Sequence, residues 1–182
     1  MPRLFVGLEL PDEIASSLSS LRGGLPGARW TDPTDYHMTL RFIGDIDRRA
    51  AREIEDELAE IERAPVPITI NGLGVFGGDK PHTIYASIAP NRALIELQAE
   101  SERCLRRLGH KPDGRKFTPH VTLARLRSAS VLDVADYLAA AGHFPQTRFT
   151  AERFALFSAR ETFGGGPYIV EAAYPLHERI AA

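Results

Sequence analysis

The chain opens on an apolar run, residues 4–10, that reads as a buried strand. Pro11-Asp12 ends it, and Ile14, Leu18 and Leu21 recur at helical spacing until Gly23-Gly24 stops the pattern. A short strand at 28–31 precedes an Asp32-Pro33 turn. From 36 to 44 apolar and polar positions alternate, which places Met38, Leu40 and Phe42 on a core face and His37, Thr39 and Arg41 on the other. Asp47 then opens a helix whose apolar stripe is Ala50, Ile54, Leu58 and Ile61; its mixed-sign outer face is a solvated one. Pro65 and Pro67 lead into two strand segments, 68–70 and 73–76, and a loop at 77–81 joins them to a strand at 83–88 as a hairpin. A helix over 92–108 follows, closed by Gly109. The strand at 117–126 has His120 and Thr122 on one face, Val121 and Leu123 on the other. Ser130 and Asp133 make a capping box for a helix running to about 141. Two last strands, 149–157 and 168–174, flank a Gly164-Gly165-Gly166-Pro167 turn.

Strands joined by hairpins and interleaved with helices predict an α+β fold, with mainly antiparallel sheets and helices packed outside. The chain of 182 residues has no low-complexity stretch and no linker, so one domain over 1–182 is expected. Two of its strands carry the same tetrad, His37-Met38-Thr39-Leu40 and His120-Val121-Thr122-Leu123, starting 83 residues apart and each followed by a helix. That repeat points to two related lobes facing one another.

Composition narrows the possibilities. Apolar residues are 43% and charged residues 25%, ordinary for a globular chain. A net charge of -2 gives no overall attraction to a polyanion, so any such site must be a local patch. The one cysteine, Cys104, excludes an intrachain disulfide framework, fits a reducing compartment, and falls on the apolar stripe of its helix as core filler. No apolar run approaches the roughly 18 residues of a membrane span. The first ten residues, interrupted by Glu9, do not read as a signal peptide, so a cytoplasmic protein is expected.

Each tetrad presents one imidazole and one hydroxyl side by side on a stiff element. An unperturbed His titrates near ~6.5, so two of them brought together can act as acid and base at neutral pH. A tetrahedral phosphoryl centre suits such a set. One imidazole takes a proton from the attacking oxygen, the other protonates the leaving oxygen, and each Thr donates to a non-bridging oxygen. Zinc sites gather three or four His, Cys, Asp or Glu ligands, whereas here each His is followed by a Thr, a poor ligand; no metal and no cofactor are expected. No G-x-S-x-G elbow and no P-loop pattern occurs.

The chain resembles the 2H phosphoesterase superfamily, specifically the bacterial and archaeal RNA 2',3'-cyclic phosphodiesterases first described as 2'-5' RNA ligases. The likeness runs through Leu4-Phe5-Val6-Gly7-Leu8 with Pro11, Gly27-Ala28-Arg29-Trp30, both tetrads with their flanks, and Gly72-Leu73-Gly74-Val75-Phe76. The resemblance implies a bilobal α+β fold with pseudo-twofold symmetry and a site in the cleft. It implies opening of a 2',3'-cyclic phosphate to a 2'-phosphate, with His37 protonating the departing 3' oxygen and His120 activating water. The expected partner is RNA bearing a cyclic end, or a cyclic nucleotide, and the expected state is a monomer. Ligation in reverse, action on small cyclic nucleotides, and a non-catalytic RNA-end-binding protein are the alternatives.

Further candidates lie outside the tetrads, and of these only Arg125 rests on the resemblance. Arg125 matches a phosphate-contacting position, although strict alternation sets it opposite His120, so a bulge or strand end must intervene. Arg41 is read either as a substrate contact or as a salt-bridged strand residue, and Phe76 either as core packing or as a platform for a base. Arg103, Arg106, Arg107, Lys111, Arg115 and Lys116 against Asp113 form the one basic cluster able to attract an RNA backbone, or else a solvated face. His82, His110, His143 and His177 have no Thr partner and read as surface residues.

Overall fold

The computed structural model describes residues 1–159 and 167–178. Its elements are β1 (Arg3–Glu9), α1 (Asp12–Ser19), β2 (Ala28–Trp30), β3 (His37–Asp45), α2 (Arg48–Ala59), β4 (Val66–Phe76), β5 (Thr83–Ile88), α3 (Arg92–Arg107), β6 (His120–Leu126), α4 (Val131–Ala141), β7 (Thr147–Ala151), β8 (Arg153–Ala159) and β9 (Tyr168–Pro175). Helices α2, α3 and α4 begin where a side chain takes up a free backbone N–H group, whereas α1 starts after Pro11 without a side-chain cap. The Asp47 carboxylate accepts from Ala50 N at 2.9 Å, Asn91 Oδ1 from Leu94 N at 2.9 Å, and Ser130 with Asp133 closes the expected capping box.

The strands run in the order β7-β4-β5-β6-β3-β1-β8-β9, and every neighbouring pair is antiparallel. The fold is α+β, as the alternation of elements predicts. Its two four-stranded halves are continuous: they meet where Met38 of β3 pairs with Val121 of β6. Past that point the edge of β6 is taken over by β2, through Trp30–Ala124, Arg29–Arg125 and Ala28–Leu126. Helix residues such as Leu18, Ile54, Leu94 and Val134 join Met38, Val121 and Leu123 in one core. The helices therefore cover the face that carries Met38 and Val121, and the opposite face is left for the cleft. The helices also associate in related pairs. Tyr137 Oη of α4 donates to Leu21 O just beyond α1 at 2.7 Å, and Cys104 of α3 is buried against Glu57 O of α2.

Three expectations need correction. Residues 149–157 are not one strand. The chain breaks at Glu152, so that β7 pairs with β4 in one half and β8 with β1 in the other. The β4 ladder ends at Val66–Ala151, and from Arg153 the chain pairs instead along the edge of β1. The segments 68–70 and 73–76 form a single strand interrupted by a bulge at Asn71-Gly72, where Gly72 takes φ +146°. The third correction concerns Arg41 and Phe42 and bears directly on the site. The Gly164-Gly165-Gly166 turn lies outside the described residues.

Candidate active site

A cleft of about 1580 Å³ runs across the open face of the sheet, and His37, Thr39, His120, Thr122 and Arg125 all line it. The register explains why both tetrads meet there. Met38 and Val121 occupy the same place in their tetrads and pair with each other, so the pseudo-twofold axis passes through that pair. Counting out by one residue in antiparallel register sets His37 across from Thr122 and His120 across from Thr39. The histidines are then diagonal neighbours, a relation that spans about 7–8 Å in a regular ladder. A phosphoryl group fits between side chains so placed.

Each imidazole is held in the same way. His37 Nδ1 donates to Asp35 O at 2.9 Å, and His120 Nδ1 donates to Thr118 O at 2.6 Å. A carbonyl oxygen only accepts, so the neutral ring carries its proton on Nδ1 in both cases and leaves an Nε2 lone pair for the cleft. His37 Nε2 accepts from Thr39 Oγ1 at 3.0 Å. The carbonyl of Asp35 is fixed by its own turn: Asp32 Oδ1 accepts from Thr34 N at 2.9 Å and Oγ1 at 2.7 Å, and Tyr168 N donates to Asp35 Oδ1 at 3.1 Å.

Aromatic rings wall both histidines. The His37 ring centroid lies 4.7 Å from Phe5, 4.8 Å from Tyr168 and 5.9 Å from Phe157. That of His120 lies 4.9 Å from Phe76 and 5.4 Å from Tyr85. Phe76 itself stacks on Tyr85 at 4.1 Å, and Gly74 leaves the space that the Tyr85 ring occupies. Burial among these rings disfavours the imidazolium and pushes both pKa values below the ordinary histidine range. Asp35 works the other way on His37, through its carbonyl and its charge, as does the Thr118 carbonyl on His120. The positive charge of Arg125 depresses both, and that of His120 depresses His37.

Both tetrad strands carry a bulge, and the bulges decide which residues reach the cleft. In β3 the register with β1 skips Leu40, and in β6 the register with β5 skips Leu123. Beyond each bulge the side-chain phase reverses. Arg125 therefore swings onto the cleft face. Arg41 swings off it: only 8% exposed, it pairs with the Glu102 carboxylate and donates to the carbonyls of Phe42 and Lys111. The salt-bridged alternative for Arg41 is the one the structure contains, and its expected place beside His37 and Thr39 is not met. Phe42, expected in the core, lies in the cleft wall and is 40% exposed. Phe42 is thus the counterpart of Arg125 in the other lobe.

The basic cluster at 103–116 is largely neutralised. Arg103 pairs with Glu100, Arg107 with Glu57, Arg115 with Asp113, and Arg106 lies 3.8 Å from Glu102. Sequence reasoning missed Phe5, Tyr85, Phe157 and Tyr168, because nothing local marks an aromatic residue on β1, β5, β8 or β9 as facing a histidine on another strand. Among the described residues no three His, Cys, Asp or Glu side chains converge as a metal-ligand set, and no helix is long and apolar enough to cross a membrane.

Two related lobes, each giving one His and one Thr to a shared cleft, define a two-histidine phosphoesterase architecture. The sequence model of the 2'-5' RNA ligase superfamily matches residues 10–162, and the chain belongs to that family. An RNA 2',3'-cyclic phosphodiesterase of Bacillus subtilis is 32% identical over 130 residues, 68% of this chain and 71% of that protein. Another from Thermotoga maritima is 26% identical over 175 residues, 92% of each chain. Among solved structures, E. coli LigT complexed with 3'-AMP shares the fold with a TM-score of 0.77 at 23% identity, covering 98% of this chain and 100% of LigT.

Proposed function

We propose that the protein hydrolyses the 2',3'-cyclic phosphate at the end of an RNA strand to a 2'-phosphate and a free 3' hydroxyl, by acid–base catalysis shared between His37 and His120. The observation that carries this reading is the matched anchoring of the two rings. Each gives Nδ1–H to a carbonyl two residues earlier and turns Nε2 to one cleft, from opposite sides of the Met38–Val121 pair.

In this reading neutral His120 takes a proton from water through Nε2 as the water oxygen attacks phosphorus. The bond from phosphorus to the 3' oxygen breaks on the far side, and His37, as imidazolium, delivers its Nε2 proton to that oxygen. One water is consumed, and the two imidazoles exchange protonation states before solvent resets them. The Thr39 and Thr122 hydroxyls and the Arg125 guanidinium stabilise the non-bridging oxygens, where negative charge accumulates. Burial disfavours the imidazolium that His37 needs, and the entering phosphate offsets this by opposing the fields of Arg125 and His120. Phe76 braces His120 and lines the same cleft, where it is a candidate contact for the terminal base.

The mechanism needs no metal and no cofactor. It takes the chain as one bilobal unit working as a monomer; a reducing, cytoplasmic setting suits its buried free Cys104. The test is turnover of a cyclic-ended oligonucleotide in EDTA, with the product read by phosphorus NMR. A 2'-phosphate formed at an unchanged rate supports the reading. A 3'-phosphate, or activity lost to EDTA and restored by zinc or manganese, overturns it, and binding without turnover would make the protein an RNA-end binder.

A further inference from the structure

The cations of the cleft fall into two groups. Arg3, Arg106 and Arg115 line it but have carboxylates at hand in Asp45, Glu102 and Asp113. Arg29 and Arg125 also line it, both exposed, and among the described residues neither has an acidic partner. They are not independent. Arg29 of β2 and Arg125 of β6 are direct cross-strand partners, so their side chains leave the same face of the sheet next to one another. Like charges set opposite each other in an antiparallel pair are unfavourable. No carboxylate among the described residues pairs with either, while carboxylates are provided for the other arginines of the cleft.

Position adds direction. Arg125 is close enough for its charge to act on both imidazoles. Arg29 lies one strand, about 5 Å, across from Arg125, at the end of β6 away from the Met38–Val121 pair. β2 occupies the very stretch of the β6 edge that β3 leaves free as the two halves part. A second anion bound there must be linked to the first at short range, and in RNA that anion is the next phosphodiester.

We propose that Arg29, set beside Arg125, forms a second phosphate subsite that holds the internucleotide phosphate adjacent to the cyclic end, so that the preferred substrate is an oligonucleotide and not a cyclic mononucleotide. The inference rests on the reading of the cleft as a cyclic phosphodiesterase site and adds the substrate class. Lys116, the other cleft cation without an acidic partner among the described residues, offers a different exit for the strand, but it has no cross-strand tie to Arg125.

The experiment compares kcat/KM for three substrates, all ending in a 2',3'-cyclic phosphate: a mononucleotide, a dinucleotide with an ordinary phosphodiester, and the same dinucleotide with an uncharged methylphosphonate linkage. The wild-type protein, Arg29→Gln and Lys116→Gln are each assayed. In the wild type the charged dinucleotide should exceed the neutral one by roughly tenfold, the size expected of one charge-assisted contact. Arg29→Gln should abolish that ratio, and should make the salt dependence of log kcat/KM on the charged dinucleotide shallower by about 0.7 per decade of salt. Lys116→Gln should keep the ratio. Equal rates on charged and neutral dinucleotides in the wild type, or a ratio removed by Lys116→Gln and kept by Arg29→Gln, overturns the subsite. Failure to turn over any of the three substrates would instead overturn the phosphodiesterase reading.

Discussion

Met38 and Val121, the second residues of the two His-x-Thr tetrads, pair with each other across the junction of the two half-sheets. Because equivalent residues meet, the motif repeat in the sequence becomes a twofold relation in space. The histidines are brought to one cleft by a backbone pairing and not by side-chain contacts of their own. Disturbing that junction should therefore act on catalysis without touching a functional group.

Gly7 gives a way to do so. A Cβ at this position would lie 2.7 Å from the Met38 carbonyl oxygen, closer than atoms pack. Gly7→Ala should push β3 away from β1, cost about 1–3 kcal/mol of stability as overpacking does, and lower kcat in the protein that still folds. Urea unfolding and steady-state kinetics on the same preparation measure both. Wild-type stability together with wild-type kcat would show that the junction tolerates a shift, against this account.

Arg41 should behave as a structural residue. Its guanidinium and the Glu102 carboxylate are 8% and 16% exposed, so truncating the arginine leaves a charge with little access to water. Arg41→Ala should destabilise by about 3–5 kcal/mol. Arg41→Met with Glu102→Leu should recover much of that loss, because no charge is then stranded. Thermal unfolding distinguishes the two variants. If Arg41→Ala unfolded at the wild-type temperature but raised KM, the residue would be a substrate contact.

The pH dependence follows from the depressed histidines. An acid whose pKa is lowered gives up its proton at lower pH, which brings down the alkaline limb of the rate profile. A base whose pKa is lowered stays neutral to lower pH, which brings down the acid limb as well. The profile of kcat/KM for the free enzyme should be a bell centred on the acid side of ~6.5, its limbs belonging to the pair. Arg125→Gln removes a charge that depresses both rings, so both limbs should move to higher pH while the maximum falls on the order of 10²-fold. A bell that stays in place when Arg125 is neutralised would mean that its charge does not face the reacting pair.

Much of this site was legible in the sequence because it is local. The His-x-Thr spacing, the apolar residues behind it and the Asp32-Pro33 turn are all properties of a few consecutive residues. The need for a bulge before Arg125 was legible too, since two-residue periodicity and a cleft-facing arginine could not both hold without one. The matching bulge at Leu40 was not, and so Arg41 and Phe42 exchange faces relative to simple alternation. A bulge is a property of two paired strands, and β1 is the partner that shows this one. The aromatic walls were hidden for the same reason. Phe5, Phe157 and Tyr168 surround His37 only through the pairing of β3 with β1, β1 with β8 and β8 with β9. The break at Glu152 is set by which strands the two segments pair with, β7 with β4 and β8 with β1, and so by residues far away in the sequence.

The claim that the two imidazoles act together on one phosphorus is tested most directly by a double-mutant cycle on turnover of a cyclic-ended oligonucleotide, with folding of each variant checked by circular dichroism. His37→Ala and His120→Ala should each lower kcat by about 10² to 10⁴-fold or more, and Thr39→Val and Thr122→Val by less. The double variant His37→Ala with His120→Ala should lose far less than the product of the two single losses, because either deletion already disables the shared step. Losses that multiply in a folded double variant, or a folded His37→Ala protein with near wild-type turnover, would contradict the account.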